Sequence, residues 1–360
     1  MSIEDARKAI DRLDEAIVKL LDERARVGTE IGRLKKGLGL PLHNPGREHE
    51  VLRRLRGLSD GSMPASGIDA IYRAIMAETL ALQKGESREC RGHDAAGKRD
   101  VAAEVAENVE IAPGFRRMRL RVPDIGAAFA PGQFFQLRIG SGGEFFLRRP
   151  FAPCECDGAG LAFFYAVVGK GTAAMARLRS GARVGLLAPL GNSYRLPAPG
   201  SRALLLGGGC GAPSLAPLAR ALKEARVHVT AIVGARTEAV LLEREAFARV
   251  TDRLILTTDD GSNGCRGTAL DAYHVERESM GRVDGVFACG PTSMLRAVAG
   301  MAKAAGLPCQ VSLEERMACG FGACMGCAVP VRGEGGSVYR RVCHEGPVFD
   351  ADALAWDEMR

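Results

Sequence analysis

The sequence predicts a multidomain α + β + α/β protein: a helical domain, a β-barrel, a parallel α/β domain and a small cysteine-rich domain, in that order. Three observations predict it. Residues 3–38 place apolar side chains at steps of three and four, the period of one helix face. Beyond a polar stretch near residue 90 the apolar runs shorten and alternate, as in "FFQLRIG" and "LAFFYAVVG", with P-G and G-S-G-G turns between them. From residue 198 onward, strand-like runs ("ALLLGGG", "HVTAIVGA", "RLILTTDD", "GVFACG") alternate with helical ones ("SLAPLARALKEA", "TSMLRAVAGMAKAAG"), the pattern of a parallel sheet.

The expected boundaries are 1–86 for the helical domain, 87–100 for a linker, 101–197 for the barrel, 198–308 for the α/β domain and 309–360 for the cysteine domain. The stretch "GESRECRGHDAAGKRD" (85–100) is polar and aperiodic, so its Cys90 and His93 read as solvated linker residues.

Composition narrows the function classes. Lys and Arg number 49 against 43 Asp and Glu, a net charge of +6, and the two signs are interspersed. With aromatics at 5%, no nucleic-acid footprint is indicated. The opening "MSIEDARKAIDRLDEAI" is charged from its fourth residue, unlike a signal peptide. No apolar run approaches the roughly 18 residues of a membrane span, so a cytoplasmic protein is expected. The chain has 11 cysteines, an odd number. In a reducing compartment, a tight group of them points to metal or redox chemistry rather than disulfides.

The tight group is "MACGFGACMGC", residues 317–327. Cys319, Cys324 and Cys327 read C-x4-C-x2-C, and Cys343 follows in "YRRVCHEGPVF". This is the plant-type 2Fe–2S spacing, three thiolates on one loop and a fourth from further along. Gly320, Gly322 and Gly326 let the loop wrap so that backbone N–H groups face sulfur. Structural zinc is the alternative, but it usually shows two C-x-x-C knuckles, and only one is present. Cys154, Cys156, Cys210, Cys265 and Cys309 read as ordinary thiols.

The helical domain has charges where a core is due. Ile10, Leu13, Ile17, Leu20, Val27, Ile31, Leu34 and Leu38 make one stripe. At ~1.5 Å per residue this helix spans roughly 50 Å, too long for two short helices to cover, so a homodimer sharing the stripe is expected. Arg24 interrupts the stripe, and Lys35 lies about 20° away around the axis. Gly28 and Gly32 stand between them, each costing a helix roughly 1 kcal/mol relative to alanine. Two cations bracketing two gaps ask for an anionic ligand, since a buried unpaired charge is expensive. The alternative is that both snorkel to water. A helix starting at or near Pro45 carries Arg47 and Glu48, and "IDAIYRAIMAETLALQ" puts Thr79 and Gln83 one turn apart beside Ile68, Ile71 and Ile75.

Residues 4–84 resemble the all-helical chorismate mutase family, in "ARKAIDRLDEAIVKLLDERARVGTEIGRLKK", then "RE", then E-T-x-x-x-Q. The resemblance implies that chorismate is the substrate and prephenate the product. It also implies that Arg7 reaches across a dimer and joins Arg24 and Arg47 on the two carboxylates. Lys35 and Gln83 would flank the ether oxygen, and Glu48 would hold the substrate hydroxyl. A pericyclic rearrangement fits such a site, because it needs only a compact conformer and cations where negative charge develops. The chain departs from the family at Asn44, often aspartate, and at Thr79, often serine.

Residues 101–360 resemble the electron-transfer subunit of NAD-dependent dihydroorotate dehydrogenase, within the ferredoxin-reductase-like family. "FFLRRPFA" resembles the R-P-x-S flavin strand, which implies Arg149 and Pro150 at FAD, with Arg149 on its pyrophosphate; Ala152 stands where serine or threonine is usual. "YAVVGKGT" places Gly169, Gly171 and Thr172 at a helix start, where N–H groups can cradle phosphate. "LLLGGGCGAPSLAPL" is a strand, a loop of Gly207, Gly208, Gly209 and Gly211, and a helix, a shape that suits a nucleotide pyrophosphate. "VFACGPTSML" resembles the family's C-G-P loop, with Cys289, Gly290 and Pro291 near the nicotinamide, and "TTDDGSNGCRG" its D-G-S loop. Each glycine run alone would read as a turn.

The whole reads as a fusion: a helical chorismate mutase domain, a flavin-binding β-barrel, a parallel α/β nucleotide-binding domain and a small 2Fe–2S domain. The resemblance implies FAD, NAD and a 2Fe–2S cluster as cofactors, and a catalytic FMN-containing dihydroorotate dehydrogenase subunit as partner. No residue set resembles an orotate-forming site. The alternative is a ferredoxin:NAD(P) oxidoreductase-type subunit whose helical domain senses a metabolite or dimerises; Arg24, Lys35, Glu48 and Gln83 together favour catalysis.

Overall fold

The computed structural model describes residues 3–37, 45–58, 64–65, 67–69, 71–72, 75–76, 79 and 98–359, except 123–124, 126–128, 141–144, 146 and 334–335. Two compact units divide the chain, Met1–Arg91 and Gly92–Arg360.

The first unit holds helix α1 (Ile3–Gly37), helix α2 (Pro45–Arg56) and a third segment in which every described residue from 65 to 79 is helical. Pro45 opens α2, where its missing N–H costs nothing. Arg53, Arg54 and Arg56 fill the last turn, opposite in sign to the helix dipole there. Arg56 forks onto Asp69 of the third segment, Nε donating to Oδ1 over 2.8 Å and Nη2 to Oδ2. Leu52 and Ile68 are buried beside this link.

Helix α1 has two unlike flanks. Gly28 and Gly32 are buried, and Arg24 and Lys35 half-buried. The apolar Leu13, Leu20, Val27, Ile31 and Leu34 are exposed, Leu20 at 64% and Leu34 at 58%. At ~100° per residue the exposed apolar set is centred roughly 80–90° around the axis from the buried set.

The second unit is built on two large sheets. Strands β1 (Arg99–Ala112), β2 (Phe115–Arg121), β3 (Phe134–Arg138), β4 (Arg149–Phe151), β5 (Glu155–Asp157), β6 (Gly160–Ala166) and β7 (Arg183–Leu190) form an antiparallel sheet ordered β4-β3-β7-β1-β2-β6-β5. Helix α3 (Lys170–Ala176) lies between β6 and β7 in the chain. Phe151 of β4, at one edge, sets its ring 4.8 Å from Phe163 of β6, near the other. The sheet therefore curls around one core that also holds Phe135, Leu137, Met118 and Met175. The polar stretch expected to run to residue 100 gives way two residues earlier, since Arg99 and Asp100 already pair with Ala188 and Leu187 of β7.

The second sheet joins β8 (Arg202–Gly208), β9 (His228–Ala235), β10 (Arg253–Thr258), β11 (Cys265–Arg266), β12 (Gly285–Cys289), β13 (Cys309–Ser312) and β16 (Val348–Asp350) in the order β11-β10-β9-β8-β12-β13-β16. Every pair is parallel except β13 with β16. Helices α4 (Ala216–Glu224), α5 (Arg244–Val250), α6 (Ala269–Met280) and α7 (Thr292–Ala304) are the crossovers. Strand β13 starts where the cysteine domain was expected to start, yet it pairs with β12, Val286 facing Cys309. The hairpin β14 (Ala328–Gly333) and β15 (Gly336–Arg341) follows the cysteine loop, and β16 then returns to the large sheet.

Candidate functional site

In the helical unit, Arg24 Nη1 donates to Thr79 Oγ1 over 2.6 Å, and the Thr79 hydroxyl donates to the Ile75 carbonyl over 2.8 Å. Thr79 thus holds the guanidinium with its oxygen. Lys35 lies on the same flank, with the two buried glycines between. Arg7 is in α1 and Arg47 and Glu48 are in the first turn of α2, but their side chains lie outside the described residues. Gln83 and Asn44 lie outside them entirely.

Strand β4 and the start of α3 meet at Arg149. A Cβ on Gly171 would lie 2.4 Å from Arg149 Nε, so only glycine lets the guanidinium settle over this turn. Arg149 also sits 5.2 Å from the Phe145 ring centroid and donates to the Leu147 carbonyl. Thr172 Oγ1 accepts from Val168 N at 2.9 Å and Gly169 N at 3.1 Å, which closes the turn leading into α3. Arg149, Gly169, Gly171 and Thr172 are therefore brought together, a cation beside a helix start, which suits a phosphate. Pro150 pairs with Gln136 of β3.

The glycine run after β8 enters a 3-10 turn (Gly209–Leu215) before α4 begins, rather than the helix directly. Its glycines have two uses. A Cβ on Gly211 would lie 2.8 Å from Gly290 N, and one on Gly208 would lie 2.6 Å from Met294 Sδ and 3.2 Å from Pro291 Cδ. Gly207 is tight against Ala212. Close nesting of this loop on the Cys289-Gly290-Pro291 loop explains Gly208 and Gly211, while Gly207 makes room for the turn that follows it. Gly209, at φ +54° with open space at its Cβ position, alone faces outward.

Cys289 is 3% exposed, and Ser214 Oγ donates to its sulfur over 3.2 Å. Burial pushes its thiol up to about 12, with the charge of Glu314 adding to the shift. Burial also raises the Glu314 carboxyl. Glu314 carries no signal in the sequence; only the fold brings it to the C-G-P loop. In the D-G-S loop, Asp260 accepts from Ser262 N and Oγ at 3.0 and 2.6 Å, and Ser262 Oγ accepts from Glu238 N. That loop is closed on itself and on the end of β9.

The cysteine loop wraps through left-handed backbone at Gly320 (φ +79°), Gly322 (φ +95°) and Met325 (φ +57°). Sulfur receives backbone N–H groups: Ala323 N to Cys319 Sγ at 3.3 Å, Gly326 N to Cys324 Sγ at 3.4 Å, and Cys343 N to Cys327 Sγ at 3.4 Å. Burial raises the Cys319 pKa, but N–H groups of Phe321, Cys324 and Ala323 outweigh it and bring the thiol down to about 6. Burial and the adjoining Cys327 push Cys343 up to about 12. Arg341 anchors the loop, donating to the Gly322 carbonyl over 2.5 Å while its fork grips Glu345.

The four thiols stand as two pairs, Cys319 with Cys324 and Cys327 with Cys343. Among the described residues, no three His, Cys, Asp or Glu side chains gather as for a single metal ion. Two pairs suit two irons, each taking two thiolates. The donor set, the N–H groups on sulfur and the glycine wrap all fit a 2Fe–2S cluster.

A second buried polar group lies against this loop. Gln136 is 0% exposed, and both its amide atoms lack a hydrogen-bond partner. Among the described residues, no helix is long and apolar enough to cross a membrane.

The model of the chorismate mutase type II family matches residues 6–84. The model of the iron–sulfur cluster binding domain of dihydroorotate dehydrogenase B matches residues 314–355. The electron transfer subunit of dihydroorotate dehydrogenase B (NAD(+)) from Desulforamulus reducens is 36% identical over 251 residues, covering 69% of this chain and 95% of that one. Its counterpart from Bacillus caldolyticus is 41% identical over 225 residues, 61% of this chain and 85% of that one. A solved structure of the NADH-dependent reduced ferredoxin-NADP oxidoreductase aligns with a TM-score of 0.64 at 32% identity, over 71% of this chain and 90% of that one. The ferredoxin reductase of carbazole 1,9a-dioxygenase, at a TM-score of 0.51 and 23% identity, shares the fold over 59% of this chain and 68% of its own. With a ferredoxin-reductase-like fold behind a chorismate mutase type II domain, the chain belongs to the family of dihydroorotate dehydrogenase B electron-transfer subunits.

Proposed function

We propose that the protein is bifunctional: a homodimeric chorismate mutase fused to a module that passes electrons between NAD and the catalytic FMN subunit of a dihydroorotate dehydrogenase, in the cytoplasm. The observation that carries the redox half is the pairing of Cys319 with Cys324 on one N–H-lined loop and of Cys327, at its end, with Cys343 from beyond the β14–β15 hairpin. When bound, FAD exchanges hydride with NAD and single electrons with the 2Fe–2S cluster. Arg149, with Pro150 and the turn at Gly169, Gly171 and Thr172, holds the FAD pyrophosphate. The nested loops of Gly207, Gly208, Gly209 and Gly211 and of Cys289, Gly290 and Pro291 form the floor of the NAD site. The four cysteines hold the irons.

In the helical half, Thr79 fixes Arg24 so that it meets one substrate carboxylate, aided by Arg7 and Arg47. Lys35 and Gln83 stabilise the charge developing on the ether oxygen, and Glu48 holds the hydroxyl. The exposed flank of Leu13, Leu20, Val27, Ile31 and Leu34 supports the dimer. Anaerobic purification followed by iron, acid-labile sulfide and flavin assays tests the redox half. Two irons and two sulfides per chain with FAD are expected; one zinc without sulfide overturns it.

A second reading, a ferredoxin:NAD(P) oxidoreductase-type subunit, is favoured by the likeness to the reduced ferredoxin-NADP oxidoreductase. Co-purification decides between them: an FMN dihydroorotate dehydrogenase subunit supports the first reading, and a ferredoxin the second.

A further inference from the structure

Gln136 is a polar residue on the buried face of a strand. On β3, Phe135 and Leu137 point into the barrel core, so Phe134 and Gln136 point out of its other face. Phe134 joins the core that contains Cys327 and Cys343. Gln136, two residues on, therefore faces the cysteine module too. A Cβ on Gly320 would lie 2.4 Å from Gln136 Nε2 and 2.5 Å from its Cδ, so the amide is seated directly against the residue after Cys319. On the strand side, Gln136 pairs with Pro150 of the flavin strand.

A buried amide with neither end satisfied is costly, and native interiors rarely leave one so. A partner is therefore due at this spot. The cluster supplies one for the NH2 end: thiolate and sulfide accept hydrogen bonds and donate none, which selects the orientation with the NH2 group toward the loop. Resting on the 2Fe–2S reading above, we infer that Gln136 is a positioning residue for the cluster, donating its amide N–H to cluster sulfur beside Cys319 and raising the cluster's reduction potential. A donor aimed at sulfur stabilises the reduced, more negative form. It would do so from the barrel, so one residue links the flavin strand with the one-electron carrier.

The test is a potentiometric titration of the full chain, prepared anaerobically and followed by electron paramagnetic resonance, with wild type beside Gln136→Leu. The leucine fills the space without a polar group. Expected are unchanged iron and sulfide content and unchanged FAD reduction by NADH, with the cluster potential moved negative. A roughly tenfold change in the one-electron equilibrium corresponds to about 59 mV. An intact cluster at the wild-type potential, or a shift confined to the flavin, overturns the inference. Should the leucine variant fail to assemble a cluster, wild-type protein labelled with 15N in glutamine side chains decides. Pulsed resonance of the reduced cluster must then show a coupled amide nitrogen, and its absence overturns the inference. Wild type without iron and sulfide would instead sink the cluster reading itself.

Discussion

Arg24 and Thr79, 55 positions apart, are joined by a hydrogen bond of 2.6 Å from guanidinium to hydroxyl oxygen. The hydroxyl proton is spent on the Ile75 carbonyl, so the threonine can only accept from Arg24. Thr79→Val removes that acceptor while keeping shape. A hydrogen bond to a charged group contributes about 1.5–3 kcal/mol, so chorismate turnover should fall roughly tenfold or more, with Thr79→Ser retaining most of it. Lys35→Ala should cost roughly 10²-fold, the scale of losing an oxyanion-type donor. The decay of chorismate absorbance measures both; unaltered rates would remove these residues from the site.

The exposed apolar flank of α1 predicts association. Leu20→Glu with Leu34→Glu places two charges on it and should convert a dimer to a monomer in light scattering after gel filtration. Wild type that is itself monomeric at micromolar concentration would contradict the shared helix face.

Arg149 and Gly171 are fitted to each other. Arg149→Ala removes the cation, and Gly171→Val drives a side chain into the place where the guanidinium rests. Both should release FAD on ultrafiltration while the cluster spectrum persists. Retention of FAD by both would put the phosphate elsewhere.

Gly211→Val should separate two loops whose backbones meet within 3 Å of the missing Cβ. The expected outcome is FAD bound at wild-type level but reduced slowly by NADH, read by stopped-flow bleaching. Normal reduction would show that the loop nesting has no bearing on the nucleotide.

Any one of Cys319, Cys324, Cys327 and Cys343 replaced by serine should lose the cluster or shift its potential, because oxygen holds iron less well in a thiolate site. NADH should still bleach the flavin, while electron delivery to the partner flavoprotein stops. Loss of both steps together would mean that the flavin depends on the cluster for its seat.

Much of this is legible in the amino-acid sequence. The cysteine spacing, the R-P strand at 149–150 and the alternating segments after residue 198 are local patterns, and each is carried by neighbouring residues. Strand β9 matches its sequence run from His228 to Ala235 because a buried parallel strand is apolar on both faces. What local pattern could not reveal depends on distant pairing. Strand β16 is three residues long and exists because β13 offers an edge 36 or more positions earlier. Gln136 reads as an ordinary polar position in an alternating strand, and only the packing of Gly320 against it shows that its face is covered. The glycines of this loop read as room for a ligand, and two of them, Gly208 and Gly211, turn out to make room for another loop.

The return of β16 to the large sheet makes the cysteine module an insertion between two neighbouring strands, fastened at both ends. Asn192 Nδ2 reinforces the second fastening by donating to the Glu345 and Val348 carbonyls, each over 2.8 Å. A carrier on a flexible tether must swing between donor and acceptor, and its traffic slows as the solvent thickens. A carrier riveted into the scaffold has no stroke to make. Electron passage inside this chain should therefore be indifferent to glycerol, and viscosity should be felt only at the encounter with the outside partner.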